Sequence, residues 1–294
     1  MTLPVDLQFS QASLQDYIDC QRRFQLRYLL RLAWPAVEAE PALENERHLQ
    51  LGAEFHRLVQ QHLLGLPVER LSIQAGSRDL GRWWGDYLEY APSIPGLGAP
   101  SNRKAFPEVT LAASLNGYRL LAKYDAIVLA PDGPEKQAFI LDWKTSRVRP
   151  KRAWLAARLQ TRLYPYLLVR GGAHLNQATL FRPEQVEMIY WFANFPSQPE
   201  RFAYSESEFL ENQSYLAGLL EKISSLGEDE FLLTARLERC RFCTYRSLCD
   251  RGVHAGDLRA LEDEGDFLLS TEEETGDIRP DLDLDFEHIA EIEF

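Results

Sequence analysis

Asn116-Gly117 stands between two strand-like runs, 108–115 and 118–129. Asn-Gly in that setting is the strongest short hairpin signal, because both central positions of the tight turn need positive φ. A second turn signal follows at Pro131-Asp132-Gly133-Pro134, and Ala138 to Lys144 reads as a third strand. The chain is therefore expected to contain a three-stranded antiparallel meander, and its register can be estimated. A two-residue turn at 116–117 pairs residues whose numbers sum to 233, which sets Glu108 opposite Asp125. If the second hairpin is centred between Gly133 and Pro134, pairs sum to 267 and Asp125 lies opposite Asp142.

Directly opposed residues share a face, as do i and i+2 on one strand. Glu108, Asp125, Asp142 and Lys144 are then expected to project from one side of three adjacent strands. Like charges directly opposite destabilise a sheet, and crowded carboxylates repel unless a proton or a cation intervenes. A hard divalent cation takes a few carboxylates and completes its shell with water and phosphate oxygens. The row thus reads either as a metal site awaiting phosphate or as a solvated strand face with Lys144 neutralising one acid.

Around the meander the periodicity is helical. Residues 10–31, with Ser10 as N-cap, and residues 46–64 and 78–90 read as helices, followed by a loop containing Pro92, Pro95, Gly96, Gly98 and Pro100. Residues 151–169 and 207–225 return to helix, and Val186 to Phe195 reads as another strand. No P-loop motif occurs. No stretch reaches the roughly 18 apolar residues of a membrane span, and Met1 to Phe9 lacks a basic n-region, so a cytoplasmic protein without a targeting peptide is expected.

The net charge of −12 argues against a nucleic-acid partner only until it is located. Residues 256–294 hold 15 acids and two bases, against 29 acids and 30 bases elsewhere. A balanced body can still carry a basic groove. Arg147, Arg149, Lys151 and Arg152 directly follow the third strand; they suit flanking phosphates or simply a solvated helix start.

Cys20, Cys240, Cys243 and Cys249 are the only cysteines. Disulfides are not expected in a cytoplasmic chain. Four-cysteine zinc sites usually show paired CxxC units. Here there is one CxxC, one C-x5-C step and a cysteine 220 residues upstream, a spacing suited to iron–sulfur ligation.

Taken in order, several motifs resemble one family. Leu141-Asp142-Trp143-Lys144 resembles the D-x-K part of the PD-(D/E)XK signature, and Tyr124-Asp125-Ala126-Ile127 its upstream metal-binding aspartate. Gly52-Ala53-Glu54-Phe55-His56 resembles the histidine motif of the RecB-like branch, and Gln160-Thr161-Arg162-Leu163-Tyr164 its Q-x-x-x-Y motif. Cys20 with Cys240, Cys243 and Cys249 resembles the iron–sulfur clasp of AddB-type and CRISPR-associated RecB-like exonucleases, although Gln21 stands where that group often has proline. Singly each motif is common; their order and spacing across residues 9–251 carry the resemblance.

The resemblance implies an α/β, restriction-endonuclease-like core: a mixed central sheet flanked by helices, with an iron–sulfur clasp. Residues 1–255 would form this nuclease domain and 256–294 an acidic tail. Asp125 and Asp142 would bind Mg²⁺ or Mn²⁺, with His56 a further ligand implied by the family and Glu108 one suggested by the register. Lys144 would reach the attacking water or the scissile phosphate, and Gln160 and Tyr164 would hold Lys144 or the DNA backbone. The four cysteines would hold a 4Fe-4S cluster. The expected activity is DNA cleavage, on single strands or free ends, in repair, recombination or CRISPR adaptation. Two rivals are a catalytically silent DNA-binding module serving a helicase and a zinc-stabilised RNA-processing nuclease. The tail's acidity alone suits a solubilising segment, but Asp281-Leu282-Asp283-Leu284-Asp285-Phe286 alternates acids with large apolar groups, which suits a motif that recruits a helicase or other partner; a tail that folds back and competes for the basic groove is the further alternative.

Overall fold

A computed structural model describes residues 3–4, 6–34, 42–94, 96–97, 104–130 and 137–253. The acidic tail and the Pro131–Pro134 turn lie outside the described residues. The body divides into two compact units. Described residues within 1–7, 12–49 and 222–294 form one, and those within 8–11 and 50–221 the other.

The second unit is built on a six-stranded mixed sheet. The strands are β1 (Gln8–Phe9), β2 (Lys104–Leu115), β3 (Tyr118–Ala130), β4 (Gln137–Lys144), β5 (Val186–Phe192) and β6 (Glu200–Ala203). β2 pairs antiparallel with the length of β3, in the expected register from Lys104↔Leu129 to Leu115↔Tyr118. Asn116 and Gly117 both have positive φ, as the tight turn demands. β4 pairs antiparallel with β3 from Ala126↔Leu141 to Ala130↔Gln137, again in the expected register. β1 runs parallel to the start of β3, β5 parallel to β4, and β6 antiparallel to β5. β4 is buried along nearly its whole length. That accounts for its continuous apolar run, since strands covered on both faces lose the polar alternation.

Helices cover both faces. On one lie α3 (Ala42–Leu63), α4 (Val68–Gln74) and α5 (Arg78–Tyr90), and on the other α7 (Leu159–Gly171). The first face is an aromatic core. Phe55, Trp83 and Tyr87 pack against Phe139, Trp143 and Trp191 from the sheet. Phe55 stacks on Trp191 at 5.8 Å and Tyr87 meets Trp143 edge-on at 5.3 Å. Each such side chain, fully buried, contributes roughly 1.5–3 kcal/mol. On the opposite face α7 approaches β2 so closely that a Cβ on Gly171 would lie 2.7 Å from the Ala112 carbonyl oxygen. Gly171→Ala is therefore expected to cost roughly 1–3 kcal/mol by forcing α7 off the sheet. At about 2–4 °C per kcal/mol, thermal unfolding resolves this, and an unchanged Tm would refute the close approach.

Two helices expected as continuous are broken. Residues 10–31 form α1 (Gln11–Asp19), then α2 (Gln21–Phe24), then a π-helical turn at Gln25–Leu29. Cys20 between them is extended, with φ −161° and ψ 108°. Residues 151–169 form α6 (Arg152–Ala157) and α7, separated by the extended Arg158. Neither break falls at glycine or proline, so local propensity offers no signal. The last α-helix among the described residues, α8 (Glu206–Ser225), follows the expectation.

The first unit joins the two ends of the described chain. The Arg22 N–H donates to the Leu232 carbonyl at 3.1 Å, and Phe24 stacks on Phe231. The Tyr245 hydroxyl donates to the Leu32 carbonyl and the Trp34 indole N–H to the Ser247 hydroxyl, both at 2.9 Å. Beneath these contacts Arg23 reaches Asp16 at 2.8 Å and Asp19 at 2.7 Å, and Arg239 reaches Asp19 at 3.3 Å.

Candidate active site

Asp142 and Lys144 sit at the carboxyl end of β4, where it runs beside the parallel β5. Such ends are where open α/β sheets bind ligands. Both side chains are buried, and Lys144 Nζ lies 3.1 Å from Asp142 Oδ2. The other Asp142 oxygen accepts a 2.6 Å hydrogen bond from the Gln160 amide on α7. A buried ion pair of this kind costs desolvation and depends on further hydrogen bonds to its remaining lone pairs; Gln160 supplies one of them to Asp142.

Asp125 sits on β3 just beyond the end of the β3–β4 ladder. Its Oδ2 accepts the Trp143 backbone N–H at 2.8 Å, and its Oδ1 lies 3.5 Å from His56 Nδ1 on α3. Burial alone would raise the Asp125 carboxyl. His56, Lys144 and the Trp143 N–H outweigh it and hold the group below the usual carboxylate range, so it is ionised at neutral pH. His56 reaches this point because α3 comes down closely on the end of β4. A Cβ on Gly52 would stand 2.9 Å from Thr145 Oγ1, immediately after Lys144. Gly52 opens the histidine motif in the sequence, but its steric role there leaves no mark in the motif itself.

Tyr164 lies one helical turn beyond Gln160. Its phenol is pushed well above its ordinary range, first by burial and then by the nearby Asp142 and Asp125 carboxylates, so it remains a neutral hydroxyl. The Tyr164 carbonyl accepts a 2.8 Å hydrogen bond from Tyr124, whose ring lies 4.8 Å away. Pro165 falls inside α7, and the helix continues past it. Thr161 shares a 2.7 Å hydrogen bond with the Tyr190 hydroxyl on β5, tying α7 to the strand beside β4.

Glu108 departs from the expected row. The register around it is as anticipated, but the Glu108–Asp125 step is missing between Pro107↔Ala126 and Val109↔Tyr124. Glu108 has φ 54° and its carboxylate pairs with Lys123 at 2.8 Å. Pro107 has no N–H to give the ladder, and the left-handed backbone turns Glu108 out of it. In the basic run after β4, two of the four residues meet one carboxylate on β6. Arg149 and Arg152 both bond the Glu200 carboxylate, Arg152 at 2.7 Å.

The fold thus gathers His56, Asp125, Asp142, Lys144, Gln160 and Tyr164, and leaves Glu108 on Lys123. Among the described residues, no three His, Cys, Asp or Glu side chains converge tightly enough to grip an ion as they stand. Instead Lys144 pairs with Asp142, and the His56 ring stands beside Asp125. Two carboxylates and an imidazole are nonetheless a donor set suited to Mg²⁺ or Mn²⁺. In the first unit all four cysteines are free. Burial first, then Cys20 among other neighbours, raises Cys240 and Cys249, and burial and neighbouring thiols push Cys243 up to about 11 against the pull of Arg23. Each of the three downstream thiols therefore senses Cys20, across more than 200 residues of sequence.

The class this defines is an α/β protein whose acids, imidazole and lysine meet at the carboxyl end of a parallel strand pair, between helices on both faces. The chain belongs to the PD-(D/E)XK nuclease superfamily, whose family model matches residues 8–250. Among solved structures it is similar to SSO0001, with 15% identity, 83% of this chain and 86% of that chain covered, and a TM-score of 0.38. It is also similar to a provisionally assigned exonuclease from Eubacterium rectale, with 10% identity, 73% and 79% covered, and a TM-score of 0.42. No curated protein matches the chain. Among the described residues no helix is long and apolar enough to cross a membrane.

Proposed function

We propose that the protein is a metal-dependent DNA nuclease acting on single strands or free ends. The observation that carries this reading is the buried Asp142–Lys144 pair held by Gln160, with the Asp125–His56 pair beside it. Asp125, Asp142 and His56 would hold Mg²⁺ or Mn²⁺. Such an ion, when bound, supplies Lewis acidity and orients the phosphate. Gln160 fixes the Asp142 carboxylate, and the Trp143 N–H fixes that of Asp125. Lys144 brings a compact cation to the phosphate, a role its short-range point charge suits. Tyr164, kept neutral, offers a hydroxyl that can donate to a phosphate oxygen. The four cysteines would hold a 4Fe-4S cluster, a reading that rests on the C-x2-C-x5-C spacing with Cys20 far upstream. A place in repair, recombination or CRISPR adaptation, with a helicase or similar partner, accords with the RecB-like motifs.

End-labelled single-stranded, duplex and flap DNA, incubated with Mg²⁺, Mn²⁺ or EDTA, tests the reading. Cleavage is expected with either ion and none in EDTA. Cleavage of RNA alone would favour the RNA-processing alternative, and undiminished cleavage in EDTA would remove the mechanism.

A further inference from the structure

Glu200 lies at the start of β6, in ladder register with Tyr190 on β5, which is itself in register with Asp142 on β4. Ladder partners share a face. Tyr190 shows which face this is, because its hydroxyl bonds Thr161 of α7. Glu200 is therefore two strands from Asp142 on the side of the sheet that carries Gln160. At about 4.8 Å per strand that is roughly 10 Å, a reach of one or two nucleotides along a DNA strand.

Two arginines converge on this carboxylate. Arg149 and Arg152 bond its two different oxygens. Each arginine is also held in orientation. Arg149 donates from Nε to the Gln198 carbonyl at 3.3 Å and lies over the Phe192 ring, and Arg152 sits over Phe202 at 4.3 Å. Burial tends to raise Glu200, but the two guanidinium groups hold it below the usual carboxylate range, so it is an anion at neutral pH. Two guanidinium forks fixed on one anion, beside the site and still partly exposed, have the geometry that recognises a phosphodiester. Arg152 is 56% exposed, so the pair is open to solvent on one side.

We propose that Arg149 and Arg152 form a clamp for a DNA backbone phosphate, and that Glu200 occupies this clamp until the phosphate displaces it. The inference rests on the nuclease reading above and adds a phosphate-positioning residue set with an internal competitor. Glu200 is then a positioning residue: it keeps both forks aligned in the free protein and sets how much free energy a phosphate must supply to enter. A purely structural pair would instead strap the loop after β4 to β6 and leave DNA affinity untouched.

Fluorescence anisotropy of a short labelled single-stranded DNA, in EDTA at several salt concentrations, separates the two. Glu200→Gln, which removes the competing charge but keeps the side chain's shape, is expected to tighten binding roughly threefold to tenfold. Arg152→Ala, at an exposed position with little risk to folding, is expected to weaken it about threefold and flatten its salt dependence. Combining Glu200→Gln with Arg149→Ala and Arg152→Ala should leave binding no tighter than the two arginine changes alone. Unchanged or weaker binding by Glu200→Gln, or unchanged binding by Arg152→Ala, overturns the clamp. If the unaltered protein still cuts DNA in that case, the nuclease reading stands without it. If the unaltered protein neither binds nor cuts DNA, the nuclease reading fails and the clamp fails with it.

Discussion

Lys144→Ala is expected to lower the rate of DNA cleavage by about a thousandfold or more, a size typical for loss of a preorganised charge beside the reacting group. Asp142→Asn should cost as much. The difficulty is that each change also strips a partner from a buried ion pair. Leaving Asp142 or Lys144 uncompensated at such depth destabilises by roughly 3–5 kcal/mol, so lost activity could report lost fold. The double variant Asp142→Asn with Lys144→Met resolves this. It removes both charges and should recover part of the stability lost in either single variant, because contacting residues are not additive. Its cleavage rate should nonetheless be no lower than the worse single variant, since groups that act as a unit fail together. Folded variants with residual cleavage near the unaltered rate would take Lys144 and Asp142 out of the chemistry. Lys144→Arg is a sharper form of the same test. A planar fork does not replace a compact ammonium at a site shaped around one, and little recovery is expected.

Much of this arrangement is legible in the amino-acid sequence. Asn116-Gly117 fixes one turn and hence one register, and that register holds from Lys104↔Leu129 to Leu115↔Tyr118. The register of the second hairpin is equally legible, although more residues separate its two strands. Asp142 and Lys144 are singled out by the strand register and the likeness to a D-x-K motif, and Gln160 only by the likeness to a Q-x-x-x-Y motif; the structure brings the three side chains together. Other features depend on tertiary contacts that leave no local trace. Cys20 interrupts a helix without glycine or proline, and two residues on the Arg22 N–H bonds the carbonyl of the distant Leu232. Arg158 divides a helix while its guanidinium lies over Trp154 at 4.6 Å, a contact between side chains rather than a propensity. β6 is only four residues long and carries Glu200, Arg201 and Phe202, so it shows neither an apolar run nor a clean alternation. The departure of Glu108 has a different origin. Register arithmetic assumes regular backbone, and Pro107 followed by a residue at φ 54° is where that assumption breaks.

Protein purified without oxygen is expected to be brown and to contain about four irons per chain, as a cubane cluster on four thiolates does. The surroundings of the cysteines make the further consequences specific. Burial first, and then neighbouring thiols, raise Cys240, Cys243 and Cys249, Cys243 to about 11. Thiolates at these three positions therefore need a cationic centre to compensate them, and binding must release protons. Arg22, Arg23, Arg246 and Arg251 already favour the anionic forms. The cysteines come from two segments of the first unit, 12–34 and 222–253. A shared cluster would join those segments beside the ties already described, which include several hydrogen bonds, a ring stack and the Asp16–Arg23–Asp19–Arg239 network. Cys20→Ser or Cys249→Ser should then bleach the protein and lower its Tm by several degrees, with binding energy lost as folding energy. Hydrogen exchange should rise in both segments at once, and far less in the strands of the sheet. Exchange confined to the mutated segment would show that the cysteines do not act as a joint. Colourless, folded protein holding one zinc would show that the C-x2-C-x5-C spacing serves a different metal.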